Sequence, residues 1–514
     1  MESLIPLEFI EWMRSLGAPF DNEDFFRALE GEPEVCVRLN RRKILPEKMS
    51  SDNQASGYAL SISSVFDEEG IDFTPVPWCD TAFYLSKRPQ FTLNPLLHGG
   101  AFYVQDASST IYERLVSELL RRDDFPRPQG GLKVLDMCAA PGGKTTAVIN
   151  ALPDTATVVA NEYVEKRARI LEENLMKWGF PNVIVTNSDT AVIADCGALF
   201  DLVTVDAPCY GEVMMRKEEE ARRQWSRGLV EQCAALQRDI LRNAVRALKP
   251  GGFLIYSTCT FNPEENERNA EYITTGLGLK PIEILPEGVP ETCRRVSAEV
   301  SDVPALRFMP HITRGEGLFV SIFRKDDAAG TDDDIPDYAT LTEKRTKKSR
   351  NRNCNRKNNS KGNNPARSVD ITTLLTRDST FIVSDLKNND WKESVSEKGV
   401  VSLFSPEVEA LSEMLGKVRI LSCGVKAGEI KGKDLVADAS LALSVALDGK
   451  RFPNVDLSHD DALKYLRRES VTLGADLPKG IVTVSYRGIK LGTAKHLGNR
   501  TNNLYPSYWR IRNL

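Results

Sequence analysis

Hydrophobic positions along this chain change their period several times. Near the start, Ile10, Met13 and Leu16 recur at helical spacing and the pattern stops at Gly17, which predicts a short amphipathic helix closed by glycine. Val35 to Asn40 reads as a strand and runs into the basic cluster Arg41, Arg42 and Lys43. Pro75, Pro77, Pro89 and Pro95 then cut the chain into short pieces, so residues 1–97 are expected to form a small α+β accessory domain. From Leu132 onward, apolar runs at 132–137, 157–160, 183–185, 202–205 and 253–256 alternate with helical patterns. One such pattern carries Val164, Ala168, Leu171 and Leu175 up to Gly179. Another carries Leu229, Cys233, Leu236, Ile240, Ala244 and Leu248 up to Pro250, Gly251 and Gly252. This alternation predicts an α/β domain over 98–325, a mostly parallel sheet with helices on both faces. Leu318 to Phe323 is expected to add a late antiparallel strand.

Residues 326–369 lose the pattern. They begin with Asp332, Asp333, Asp334 and Asp337, and nine Lys or Arg and no acid follow between Lys344 and Lys361. A solvated basic linker is expected there. Apolar periodicity returns over 370–514 and ends in strand-like alternation with Tyr486, Arg487 and Gly488 at a turn. From Lys479 to Leu514 there are seven Lys or Arg and no acid, interleaved with Tyr486, Tyr505, Tyr508 and Trp509. Basic charge attracts phosphate and aromatic rings stack on unpaired bases. An ordinary β-domain with buried aromatics has the same composition, and the two readings stay level.

Composition narrows the function classes. The 514 residues are 41% hydrophobic, which excludes a wholly disordered chain. The formal charge of −5 argues at first against a polyanionic partner, but it averages two basic segments with a more acidic body. No apolar run approaches the ~18–20 residues of a membrane span. The first ten residues carry two Glu and no positive cluster, so no signal peptide and a cytoplasmic location are expected. Ten cysteines form no C-x-x-C pair, and His98, His311, His459 and His496 are far apart. A metal site and a His-based triad are therefore not expected, and the thiols are expected to be reduced.

The strongest chemical signal is VLDMCAAPGGKTT at 134–146, a strand running into a glycine turn and a helix. Backbone N–H groups at such a helix start face a ligand. A phosphate loop, G-x-x-x-x-G-K-[ST], matches only at Gly143, Lys144 and Thr145; its first glycine falls on Cys138, and Pro141 stiffens the loop. A nucleoside cofactor fits better. Glu162 ends the second strand, 20 residues beyond Gly142, where an acid accepts from ribose hydroxyls. Asp189 follows the third strand and Asp206 the fourth, so all three acids face one crevice. Cys209 in DAPC and Cys259 in STCT lie just past the fourth and fifth strands and open onto that crevice. Two thiols above a nucleoside site suggest thiolate chemistry.

CAAPGGK (138–144), DAPC (206–209), Arg216 and Lys217, KPGG (249–252), STCT (257–260) and NPEEN (262–266) occur in that order. In this the chain resembles the Nol/Sun RNA cytosine-5 methyltransferases. The resemblance implies a Rossmann-like class I methyltransferase domain. It implies that Cys138, Ala139, Ala140, Pro141, Gly142, Gly143, Lys144, Glu162, Asp189 and Asp206 hold S-adenosylmethionine. Cys259 is then the nucleophile, Cys209 serves product release, and Asp206 also contacts the cytosine. Family members usually carry Ser-Gly-Glu-Gly after the Pro-Cys pair, where this chain has Tyr210, Gly211, Glu212 and Val213. The closing YRG, Asn502–Asn503 and YPSYWRI resemble the PUA-like RNA-binding end of bacterial ribosomal-RNA members. This favours 16S rRNA or the small ribosomal subunit as partner of a monomeric enzyme. The alternatives are a tRNA methyltransferase, a P-loop-like NTPase and a non-catalytic RNA-binding assembly factor.

Overall fold

The computed structural model describes residues 5–44, 65–66, 70–294, 301–327, 391–396, 398–432, 434–446, 452–474 and 476–512. Nearly all of the basic linker expected at 326–369 lies outside the described residues. The central feature is a nine-stranded sheet. Its strands are β1 (Lys133–Asp136), β2 (Thr157–Asn161), β3 (Val183–Thr186), β4 (Phe200–Asp206) and β5 (Leu248–Thr258). β6 (Lys280–Ile282), β7 (Leu306–Phe308), β8 (Leu318–Arg324) and β9 (Ile420–Cys423) complete it. The spatial order is β6-β8-β5-β4-β1-β2-β3-β9, with β7 also paired to β8. β1 to β5 are mutually parallel. β8 runs antiparallel to β5, as its late position in the chain led one to expect. β1 to β5 are almost wholly buried because helices cover both faces, which is why they read as continuous apolar runs.

Four helices frame the crevice: α1 (Gly143–Ala151), α2 (Glu165–Trp178), α3 (Thr190–Ala194) and α4 (Arg227–Ala247). Gly179, at φ +82°, ends α2 in the left-handed conformation. Ser226 caps α4 by accepting from the Leu229 N–H. Two expected helix faces need correction. Val164 precedes α2 and is exposed. On α4 the buried residues are Val230, Ala234, Gln237, Ile240, Leu241, Ala244, Val245 and Ala247, so Ile240 and Ala244 of the expected face are inside while Leu229 and Leu236 face solvent. Two overlapping stripes of helical period exist in that sequence. The sheet takes the one with a small residue and a glutamine whose polar atoms find buried partners. Leu248, assigned to the helix, opens β5.

The accessory region forms an antiparallel sheet in the order Phe73–Val76, Cys79–Leu85, Val35–Leu39, Phe102–Val104. The wholly buried Arg38 of its third strand crosses to α1. Arg38 donates to Gln105 Oε1 (2.9 Å), to the Gly143 carbonyl (3.2 Å) and to Thr146 Oγ1 (2.6 Å). Further along the chain are two more four-stranded sheets, one of strands from 392 to 437 and one of strands from 454 to 503. In the last, Arg487 (φ +50°) and Gly488 (φ +76°) form the turn between strands Gly480–Tyr486 and Ile489–His496. Tyr486, Tyr505 and Trp509 are buried, which decides the open question about these rings in favour of core packing; Tyr508 alone of the four is exposed. Among the described residues no helix is long and apolar enough to cross a membrane.

Candidate active site

Sheet order reverses between β1 and β4, and ligands bind such sheets outside the carboxyl ends of the strands at that point. β1 ends at Asp136 and passes into the loop of Cys138 to Gly142. Gly142 adopts φ +111°, and a side chain there meets Leu171 and Asn174 of α2. That conformation requires glycine, and it turns the chain so that α1 starts at the crevice. Pro141 is exposed at the loop tip, while Ala139 and Ala140 are buried beneath it. Gly143 opens α1 with its carbonyl bound by Arg38.

The acids are held by defined partners. Buried Glu162 accepts from the Val164 N–H at 2.8 Å and pairs with Arg167 at 3.3 Å. Asp189 is exposed and caps α3 by accepting from the Ala191 N–H at 2.9 Å. Asp206, at the end of β4, is gripped through both oxygens. Oδ1 accepts from Ser257 Oγ and Oδ2 from Lys144 Nζ, each at 2.8 Å. Ser257 in turn exchanges a hydrogen bond with Tyr112 at 2.8 Å. Burial favours a neutral Lys144, but the neighbouring charges of Asp206 and Cys259 outweigh it and hold the ammonium protonated.

Sequence reasoning missed Asp136. It is buried, accepts from Thr145 Oγ1 at 2.6 Å, and has Oδ1 without a hydrogen-bond partner. Burial pushes its carboxyl up to about 7. Its only local signal was its place at the end of a strand before a glycine loop. Ser257 was within reach inside STCT; Tyr112, on the helix Ile111–Arg121 before the sheet begins, carried none.

The two thiols meet. Cys209 Sγ lies 3.2 Å from Cys259 Sγ, and both are free and half-buried. The hydrogen bond to Cys259, then burial, pushes the Cys209 thiol well above its ordinary value. Burial among Asp136, Asp206 and Glu162 does the same to Cys138, which makes it an unreactive wall of the crevice. Behind Cys209, buried Glu265 is raised to about 7 by burial and then by the charge of Glu212. Tyr210, where the family usually has Ser, donates its hydroxyl to the Ala221 carbonyl at 2.7 Å and so points away from the thiols. Among the described residues no cluster of His, Cys, Asp and Glu fits a metal ion.

Family models match three parts of the chain. The N-terminal domain of 16S rRNA methyltransferase RsmF matches residues 5–107, 16S rRNA methyltransferase RsmB/F matches 126–324, and the methyltransferase RsmF PUA domain matches 452–511. The ribosomal RNA small subunit methyltransferase F of Erwinia tasmaniensis is 32% identical over 453 residues, covering 84% of each chain. This chain belongs to the RsmB/F family. The corresponding protein of Enterobacter sp. (strain 638) is 29% identical over 512 residues, 98% of this chain and 95% of its own. The crystal structure of PH0851 has the same fold, with a TM-score of 0.52 and 23% identity over 62% of this chain and 66% of that one. Family membership makes the chain an S-adenosylmethionine-dependent methyltransferase with a C-terminal PUA domain and sets the P-loop alternative aside.

Proposed function

We propose that this RsmB/F family member methylates carbon 5 of a cytosine in 16S rRNA, with Cys259 as nucleophile and Cys209 as the group that releases the product. The observation that carries the reading is the pair of thiols 3.2 Å apart at the carboxyl end of a sheet whose glycine loop and acids form one crevice. The relatives bear a small-subunit rRNA name over almost their whole length, which supports 16S rRNA over tRNA. We take 1–97, 98–325 and 370–514 as its working domains, a monomer as its working state and the cytoplasm as its compartment.

The residues present fit S-adenosylmethionine. Asp136, Asp206 and Glu162 would favour the positive charge of that cofactor, and the unpartnered Asp136 Oδ1 would offer it an acceptor. Asp189 spends one oxygen on a backbone N–H, and Glu162 one on a backbone N–H and the other on Arg167; each retains lone pairs for hydroxyl or amine donors. The loop from Cys138 to Lys144 supplies the close backbone approach. When bound, the cofactor supplies an electrophilic methyl group.

The chain's own residues make the cytosine reactive. Carbon 5 of cytosine is a weak nucleophile. Addition of the Cys259 thiolate to carbon 6 moves the ring's electron pair toward carbon 5. Asp206, fixed by Lys144 and Ser257, is placed to accept a hydrogen bond from the cytosine amine, and the Lys144 ammonium beside it offsets the charge that the addition puts on the ring. Once carbon 5 is methylated its proton must go. Cys209, at the nucleophile's side, first gives up its own thiol proton to solvent. As a thiolate it then takes the carbon-5 proton, and the C–H pair restores the ring double bond. The carbon–sulfur bond breaks with its electron pair returning to Cys259 as thiolate. The target base must leave its stack for any of this.

The test is a pair of variants with labelled methyl donor and 16S rRNA. Cys259→Ala is expected to abolish transfer and covalent capture. Cys209→Ala is expected to accumulate a denaturation-resistant protein–RNA adduct while turnover falls about 10²–10⁴-fold. Near-normal turnover by Cys259→Ala would falsify the nucleophile assignment.

A further inference from the structure

The turn NPEEN follows β5, and its side chains reach both cysteine loops. Asn266 Nδ2 donates to the Thr260 carbonyl at 3.0 Å, and Asn266 Oδ1 accepts from Thr258 Oγ1. One amide thus holds the residues on either side of Cys259. The preceding residue does the same for the other thiol. Glu265 Oε2 accepts from the Tyr210 N–H at 3.1 Å and from Gln237 Nε2 at 2.7 Å, and Gln237 Nε2 also donates to the Pro208 carbonyl at 3.1 Å. The residues flanking Cys209 are therefore clasped by Glu265 and Gln237. Glu265, Asn266 and Gln237 are wholly buried.

The choice of a carboxylate at 265 is chemically specific. Its Oε1 accepts from Asn262 Nδ2 at 2.8 Å, so three N–H donors converge on one side chain. Only an acceptor with two oxygens satisfies all three; a glutamine of equal size turns an NH₂ group toward at least one donor. An unmade hydrogen bond in a buried site is costly, and the flanking loop moves to relieve it. A displacement of one thiol by a fraction of an ångström matters because the two must act in sequence on neighbouring ring carbons.

We propose that Glu265 and Asn266 are separate positioning residues for the two thiols: Glu265, with Gln237, sets Cys209 for product release, and Asn266 sets Cys259 for attack. The inference rests on the roles given to the two cysteines above, so its test carries a control for them. Two adjacent residues of one turn then govern different steps of one reaction. A purely structural role predicts instead that variants at 265 and 266 lose activity in the same way.

Full-length protein with methyl donor is mixed with 16S rRNA, supplied free and within small subunits, then quenched and resolved under denaturing conditions. Cys209→Ala must trap adduct; if it traps none with either form of RNA, the assignment of the thiols is wrong and this inference falls with it. With that control in place, Glu265→Gln and Gln237→Met are expected to raise the trapped fraction about threefold or more over the parent as turnover drops. In the Cys209→Ala background, Asn266→Ala is expected to slow adduct formation about tenfold, whereas Glu265→Gln leaves its rate within about twofold. Gln237→Met, close in length and without the amide donor, carries the test of the Cys209 clasp should Glu265→Gln fail to fold. Equal slowing by the 265 and 266 variants, or loss of turnover by Glu265→Gln and Gln237→Met without trapped adduct, overturns the separation.

Discussion

Residues 38–43 and residues 479–512 are both rich in Lys and Arg, and the fold uses the two in opposite ways. In the first, Arg38 is wholly buried and also lies 4.9 Å over the Trp178 ring. Arg41 pairs with Glu113 and Asp80, and Arg42 donates to the carbonyls of Ile149 (2.7 Å) and Leu152 (2.6 Å). Lys43 Nζ reaches the carbonyls of Gly99 and Lys177. These cations fasten the accessory sheet to the methyltransferase domain. In the second, Lys479, Arg487, Arg500, Arg510 and Arg512 are exposed on a small β-domain whose aromatic rings, Tyr508 excepted, have gone inside. A count of positive charge treats both stretches as polyanion footprints; burial separates a clasp from a surface open to solvent.

Three substitutions sharpen that contrast. The largest effect is expected from Arg38→Met, which takes the cation from buried Glu113 (3.7 Å), leaves the Gln105 and Thr146 oxygens without their arginine donor, and leaves the Gly143 carbonyl to Thr146 alone. Unfolding in urea should show a loss of about 3–5 kcal/mol. Because the Gly143 carbonyl is one of those acceptors, S-adenosylmethionine should also bind more weakly in a titration. Next is Lys43. Burial lowers its amine to about 7, against about 10.4 in an unfolded chain. Between these values the unfolded chain holds a proton that the folded chain has released, so this contribution to stability grows as pH rises and is lost as pH falls through 7. Lys43→Met removes it. The stability of the parent relative to the variant should rise about 3–4 kcal/mol from pH 7 to pH 10; a pH-independent difference would show that the amine keeps its proton. Smallest in stability is Arg500→Ser, expected within about 0.5 kcal/mol. Its effect belongs in RNA binding, where the slope of log affinity against log salt should fall by about 1 if Arg500 meets a phosphate.

The same distinction explains what was legible in the sequence. The parallel strands were readable because burial on both faces leaves uninterrupted apolar runs, and glycine loop, acids and thiols fell at strand ends where the topology gathers them. The buried face of α4 was not, because Gln237 occupies it by virtue of Pro208 and Glu265, partners distant in the chain. Asp136, Ser257 and Tyr112 were missed for a related reason: their roles come from contacts made across the crevice and not from spacing. Tyr486, Tyr505 and Trp509 looked equally suited to stacking or to packing until the sheet around them was in view.

Strand β9 links the order of synthesis to the integrity of the sheet. Without it, β3 is the sheet's edge, apolar and open along one side. The ribosome delivers β3 long before Ile420–Cys423, so the catalytic domain carries an unsealed margin until after its own translation is complete. Open margins of this kind recruit strands from other chains. A strand made long after the rest of the catalytic sheet closes it, and a product cut short ahead of β9 is marked by that margin as unfinished.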